Sequence, residues 1–272
     1  MINLGVGEII HLHFLLIERR YSMKDNLTYD EQIKKMKEVI SEGNIVFFGG
    51  AGVSTASGMK DFRSEDGLYN EKNEFRWPPE TILSHSFFYK KPKVFYEFYR
   101  KKMNSLPYEP NIIHKTLAEW ENQGLLNSII TQNIDNLHQK AGSKNVIELH
   151  GTSMKNRCAN KNCLKEYNDL DNIFYGENDF PVCPDCGTII KPEIVLYEEQ
   201  ILNMDKAITE LQKAKTLIIA GCSLQVYPAA SLIQYFYGDN LFIINKGIVP
   251  NEEWADIVIH DDMKKVFEDL SK

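Results

Sequence analysis

Ile45-Val46-Phe47-Phe48-Gly49-Gly50-Ala51-Gly52-Val53-Ser54 decides how this chain folds. Four apolar residues, two β-branched and two aromatic, run straight into a glycine cluster, and Ser54, Thr55 and Ser57 open a helix beyond it. A short unbroken apolar run ended by turn residues reads as a strand buried on both faces. A glycine turn between strand and helix lets backbone N–H groups approach a pyrophosphate, and the helix N-terminus adds a favourable partial charge. A tight turn with no ligand favours glycine too, so this stretch settles the fold before it settles any function.

The same rhythm extends outward. Upstream, Thr28-Tyr29-Asp30-Glu31 has the spacing of a capping box, and Ile33, Met36, Val39 and Ile40 follow at helical intervals until Gly43. Downstream, a helix around 111–123 precedes Ser128–Thr131, and further buried strands are expected at Val146–Leu149, Thr216–Ala220, Leu241–Ile244 and Ala255–Ile259, with a closing helix over Met263–Leu270. Short strands alternating with helices predict an α/β fold, a Rossmann-like doubly wound parallel sheet. Two stretches break the alternation. Residues 64–105 are aromatic and helix-forming, and 151–190 hold paired cysteines in irregular segments. The expected organisation is a large domain from 24–63, 106–150 and 191–272, with a smaller zinc-binding and helical second domain from 64–105 and 151–190. Residues 1–22, with Met23 as an alternative start, read as an N-terminal extension without fixed order, or as an extra packed helix. Their nine-residue apolar run, 9–17, is too short to span a bilayer and lacks a signal peptide's flanks.

With 43% hydrophobic and 25% charged residues, the 272-residue chain has the composition of a soluble globular protein. A net charge of −7 without a basic stripe argues against a nucleic-acid partner, and nothing argues for a membrane one. Five cysteines, an odd total with no secretory signal, point to reduced thiols and a cytoplasmic location.

Three groups of residues carry chemistry. Cys158-x4-Cys163 and Cys183-x2-Cys186, with 19 residues between the pairs, have the spacing of a four-thiolate zinc site, structural because no coordination position stays open. Cys183-Pro184-Asp185-Cys186 has redox-motif spacing but not its helix context. Gln132, Asn133, Asp135 and His150 each follow a predicted strand, so a parallel sheet delivers them to the edge that carries the glycine turn and Gly221-Cys222-Ser223. Finally, the acid expected about 20 residues beyond a dinucleotide-binding turn is missing. Lys60-Asp61-Phe62-Arg63 and a polar loop stand there instead, so an ordinary hydride-transfer site is excluded.

Taken in order, Gly50-Ala51-Gly52-Val53-Ser54, Asp61-Phe62-Arg63, Gln132-Asn133-Ile134-Asp135, His150-Gly151, the cysteine pairs, Lys191-Pro192-Glu193-Ile194-Val195 and Gly221-Cys222-Ser223 closely resemble the sirtuin family. Val195-Leu196-Tyr197-Glu198-Glu199 looks like its bacterial class U. The resemblance implies an NAD-dependent protein lysine deacetylase that consumes NAD as co-substrate and contains one structural zinc. It implies catalytic roles for His150, as general base on a ribose hydroxyl, and Asn133. Phe62 would cover the reacting ribose and Arg63 hold phosphates. Gln132 would contact ribose hydroxyls, and Asn133, Ile134 and Asp135 line the nicotinamide pocket. Ala51, Thr55, Cys222, Ser223 and Asn245 would hold the rest of NAD, with Met263 beside the adenine. Acetylated protein or peptide substrates would bind as an added β-strand near Ile194–Tyr197.

Three positions depart from the family pattern. Lys60 replaces a proline and Cys222 a threonine. Asn136 replaces a glycine, and asparagine is expected to accept the left-handed backbone there. The family's Tyr-x-x-Arg signature for acidic acyl groups is broken, because Arg100 lies four residues after Tyr96, which favours a neutral acyl group. A sirtuin-like protein ADP-ribosyltransferase is the alternative that uses the same cofactor pocket, and a non-enzymatic zinc and nucleotide-binding module is a second.

Overall fold

A computed structural model describes residues 27–61, 67, 74–103, 107–168 and 179–272. Residues 1–22, Phe62 and Arg63 lie outside the described residues.

The expected strands form. β1 (Ile45–Gly49), β2 (Leu126–Thr131), β3 (Val146–Glu148), β7 (Thr216–Ala220), β8 (Asn240–Ile244) and β9 (Ile257–Ile259) make one six-stranded sheet in the order β3-β2-β1-β7-β8-β9. Every neighbouring pair in it is parallel. All five residues of β1 and of β7 are buried, as a sheet covered on both faces requires. Alternate residues serve opposite cores. Ile45, Phe47, Ile218 and Phe242 pack with the helices Tyr29–Ser41, Ile112–Asn122 and Met263–Leu270. Val46, Phe48, Leu217 and Ile243 pack on the other side with the helix Met204–Lys213. The first helix starts as its sequence predicts, the Thr28 N–H donating to the Glu31 carboxylate at 2.8 Å.

Strand order runs outward from β1 in one direction through β2 and β3, and from β7 in the other through β8 and β9. The switch point therefore lies between β1 and β7, where such sheets bind ligands beyond their carboxyl ends.

The remaining strands form a second, antiparallel sheet, β5-β4-β6, from β4 (Gly151–Cys158), β5 (Glu166–Tyr167) and β6 (Ile190–Ile194). Residues 190–194 thus pair with β4 and not with the parallel sheet. Three helices, Pro79–Ile82, His85–Lys90 and Pro92–Lys102, pack Phe88, Phe95, Tyr96 and Tyr99 into an aromatic core that also takes in Ile194 and Leu196. Tyr96 is fully buried and its hydroxyl donates to the Ile190 carbonyl. Among the described residues, no helix is long and apolar enough to cross a membrane.

Candidate active site

The turns after β1 and β7 are pressed backbone to backbone. Gly50 N–H donates to Ala220 O at 3.2 Å and Gly52 N–H to Gly221 O at 2.9 Å. A Cβ on Gly50 would stand 2.6 Å from Gly221 O, and one on Gly52 would stand 2.7 Å from the Gly221 Cα. Gly221 itself has φ +59°, and its Cβ would meet Val53 N at 2.6 Å. The glycines are needed first to let two turns meet. The result is a backbone junction without side chains over it, which lets a ligand approach closely, while the N–H groups of Gly50, Gly52, Val53 and Ser54 are spent on carbonyls within the two turns. Ala51 and Ser223 are partly exposed at this surface and Thr55 is fully so, its hydroxyl donating to Gly52 O at 2.8 Å.

β2 delivers the polar residues beside it. Gln132 N–H continues the ladder to Gly49 O at 3.0 Å, and its side-chain amide reaches Cys222 Sγ at 3.3 Å. Cys222 also accepts from Leu224 N–H at 3.4 Å, so the thiol that replaces a hydroxyl is a weak acceptor linking two loops. Ser54 Oγ donates to Asp135 Oδ2 at 2.6 Å and accepts from the Asn133 side-chain amide at 3.1 Å. The other Asp135 oxygen accepts Leu137 N–H at 2.9 Å. Burial raises the Asp135 carboxyl pKa, and these hydrogen bonds oppose the rise. Asn136 does take the left-handed conformation, with φ +64°. Ile134 O accepts both the N–H and the hydroxyl of Ser153, which ties this loop to β4.

His150 lies just past β3. Its Nδ1 is 2.9 Å from the Gln132 carbonyl, which can only accept, so Nδ1 carries the proton and Nε2 is left as a base. Burial lowers the His150 pKa, partly offset by that hydrogen bond, which keeps the ring neutral. Asn245 follows β8, its side chain turned onto Gly247 O at 2.7 Å. Met263 is buried with its terminal methyl 2.8 Å from where a Gly221 Cβ would stand. All the described candidates except the four cysteines therefore sit along one edge, beyond β1, β2, β3, β7 and β8.

The cysteines form a separate centre. Cys158, Cys163, Cys183 and Cys186 place their Sγ atoms within 4.8 Å of one another, with Cys158–Cys186 at 3.4 Å and Cys163–Cys183 at 3.7 Å. A disulfide needs about 2.05 Å. Tetrahedral zinc with bonds of about 2.3 Å holds its sulfurs roughly 3.8 Å apart, so the set fits zinc. Each pair sits on a tight turn: Cys163 N–H donates to Asn160 O, and Gly187, at φ +70°, donates to Cys183 O.

Sequence reasoning missed two things. β4 is polar, Gly151-Thr152-Ser153-Met154-Lys155-Asn156-Arg157-Cys158, and carries no alternation to announce a strand. Ser54 read as a helix opener and is the bridge between Asn133 and Asp135. His114 and His138, expected to be surface or structural histidines, are buried, with ring centroids 4.7 Å apart, and among the described residues neither ring nitrogen of His138 has a hydrogen-bond partner.

An open parallel sheet with two glycine turns meeting at its switch point, a half-buried histidine with Nδ1 held by a carbonyl and a separate four-cysteine centre defines an α/β protein with a candidate dinucleotide site and a candidate zinc site. The chain belongs to the Sir2 family, whose model matches residues 50–228. It is 50% identical over 244 residues to the NAD-dependent protein deacetylase of Clostridium acetobutylicum, covering 88% of this chain and 97% of that one. It is 42% identical over 241 residues to the protein of that name from Staphylococcus epidermidis, covering 88% and 96%. Among solved structures, a Sir2 variant with deacetylated p53 peptide and 3′-O-acetyl-ADP-ribose matches with a TM-score of 0.79 at 34% identity, over 88% of this chain and 96% of that chain. A Sir2–p53 peptide–NAD+ complex matches with a TM-score of 0.76 at 35% identity, over 87% and 95%.

Proposed function

We propose that this chain is an NAD-dependent protein lysine deacetylase that moves the acyl group from lysine to ADP-ribose and releases nicotinamide. The observation that carries the reading is the orientation of His150, its Nδ1–H spent on Gln132 O and its Nε2 free to take a proton at the edge where the glycine turns meet. Bound NAD would supply an electrophilic ribose carbon on loss of nicotinamide, and the acyl oxygen of the modified lysine would bond to it. His150 would remove the proton of a ribose hydroxyl so that its oxygen attacks the acyl carbon; the lysine nitrogen leaves as the amine, and one water supplies the oxygen that completes acyl-ADP-ribose. Asn133 and Asp135, cross-linked through Ser54, keep the nicotinamide side of the pocket in one shape, and Ile134 supplies its apolar wall. Gln132 faces the ribose, Ala51, Thr55, Cys222, Ser223 and Asn245 the phosphates and second ribose, and Met263 the adenine; we assign Phe62 and Arg63 to the same cofactor.

The acylated peptide binds near Ile194–Tyr197, where β6 runs on to the helical core. The buried, apolar surroundings of Tyr96 and Tyr99 favour a neutral acyl group. The four cysteines hold one structural zinc, and their reduced state suits the cytoplasm. The Val195–Glu199 sequence suits class U, and the domain division at 64–105 and 151–190 accounts for the aromatic core and the thiolate module.

Incubation with acetyl-lysine peptide and NAD, read by mass spectrometry, is the test. Acetyl-ADP-ribose that disappears in His150→Ala is the expected result. ADP-ribosylated protein without acetyl-ADP-ribose would establish a transferase instead, and nicotinamide release unaffected by His150→Ala would leave only a binding module.

A further inference from the structure

The backbone from Val195 to Tyr197 is held from two sides. Val195 N–H donates to the His150 carbonyl at 2.8 Å. Tyr197 N–H donates to Leu83 O, and Tyr197 O accepts from His85 N–H, each at 3.0 Å. The segment thus links the catalytic histidine to the helical core. The next two residues fasten it. Glu199 accepts Leu196 N–H at 2.9 Å and the Lys191 ammonium at 3.0 Å on one oxygen, and binds His85 Nδ1 at 2.7 Å with the other. Lys191 also donates to Ile194 O at 2.8 Å, so both ends of the turn share one ion pair.

Glu198 has φ +75°, a conformation that a residue with a Cβ adopts only at a cost and glycine adopts freely. What holds it there is its carboxylate, which accepts Ser86 N–H at 2.9 Å and the Ser86 hydroxyl at 3.0 Å. The side chain of the strained residue therefore bonds the turn to the helix His85–Lys90.

We propose that Glu198 and Glu199 are positioning residues for the acyl-peptide substrate: together they lock Ile194–Tyr197 between His150 and the helical core. The inference rests on the reading of this segment as the peptide-binding edge. Neither carboxylate reaches the glycine turns through any of these bonds, so peptide affinity depends on them and NAD affinity does not.

Glu198→Gly removes the carboxylate while accepting the left-handed backbone, so the variant keeps its fold. With acetyl-lysine peptide and NAD varied in turn, Glu198→Gly raises the peptide KM about tenfold and leaves the NAD KM within about twofold. Glu198→Gln, which still accepts from Ser86, shifts the peptide KM less. Glu199→Gln raises it because the Lys191 and His85 pairs are lost. Ser86→Ala combined with Glu198→Gly is no worse than Glu198→Gly alone, since the pair acts as a unit. A Glu198→Gly enzyme with the wild-type peptide KM, or with both KM values raised together, overturns the positioning role alone. A wild-type chain inert toward acetyl-lysine peptides overturns the deacetylase reading and this role with it.

Discussion

His150 needs two properties to act as a base, a free Nε2 and a neutral ring, and one hydrogen bond with one buried position provides both. Replacing it with alanine should lower kcat by about 10²–10⁴-fold, the usual contribution of a positioned base. Because burial lowers its pKa below the ordinary value of about 6.5, the neutral ring predominates at pH 6.5 and activity is lost as pH falls through the folded value. The acid limb of the kcat/KM profile should therefore have its half-maximal point below pH 6.5; a half-maximal point above 6.5 would contradict the assigned environment. The place of His150 at this edge was legible in the sequence because it follows a clear apolar strand, whereas its role as base is implied by the resemblance. Ser54 was legible only as a helix opener, since its bonds to Asp135 and Asn133 join residues about eighty positions apart and no local pattern encodes them.

Where strands end in glycine, the element determines the site. Gly221→Ala must hold a Cβ in the left-handed region, which costs roughly 1–2 kcal/mol, and must also move Val53 N from 2.6 Å. The expected result is a lower Tm and a weakened NAD KM, measured by thermal melting and steady-state kinetics; an unchanged pair of values would mean that the two turns are not in contact. Zinc removal acts on a different element. Elemental analysis should find one zinc per wild-type chain and less in Cys183→Ser, whose Tm should also fall, because the four cysteines join β4 to the turn before β6. The cysteine spacing announced this centre, and the apolar runs announced the six parallel strands. The antiparallel β4 was not announced: its residues are polar, and Ser153 is buried through hydrogen bonds that it donates to Ile134 O on the loop after β2.

Two buried histidines and the half-buried His150 make the stability of the whole molecule depend on pH. Desolvation lowers His114 to about 4, and lowers both His138 and His150. The unfolded chain takes up these protons near 6.5, so the stabilisation is complete above that value and is lost as pH falls toward the folded values, at up to about 1.4 kcal/mol per pH unit for each proton. Tm should fall between pH 7 and 5, and His138→Phe, which fills the same space without a titrating group, should flatten that slope; an equally steep slope would place the loss elsewhere. The sheet has one more consequence, for a chain still being made. β1 occupies the middle of the sheet, and its second neighbour is β7, so Ile45 pairs with Thr216 long after it has left the ribosome. Until then the most apolar strand has one open hydrogen-bonding edge and half of its core uncovered. Such long-range pairing is slow and exposed to aggregation. A pause in synthesis before β7 emerges therefore prolongs that exposure.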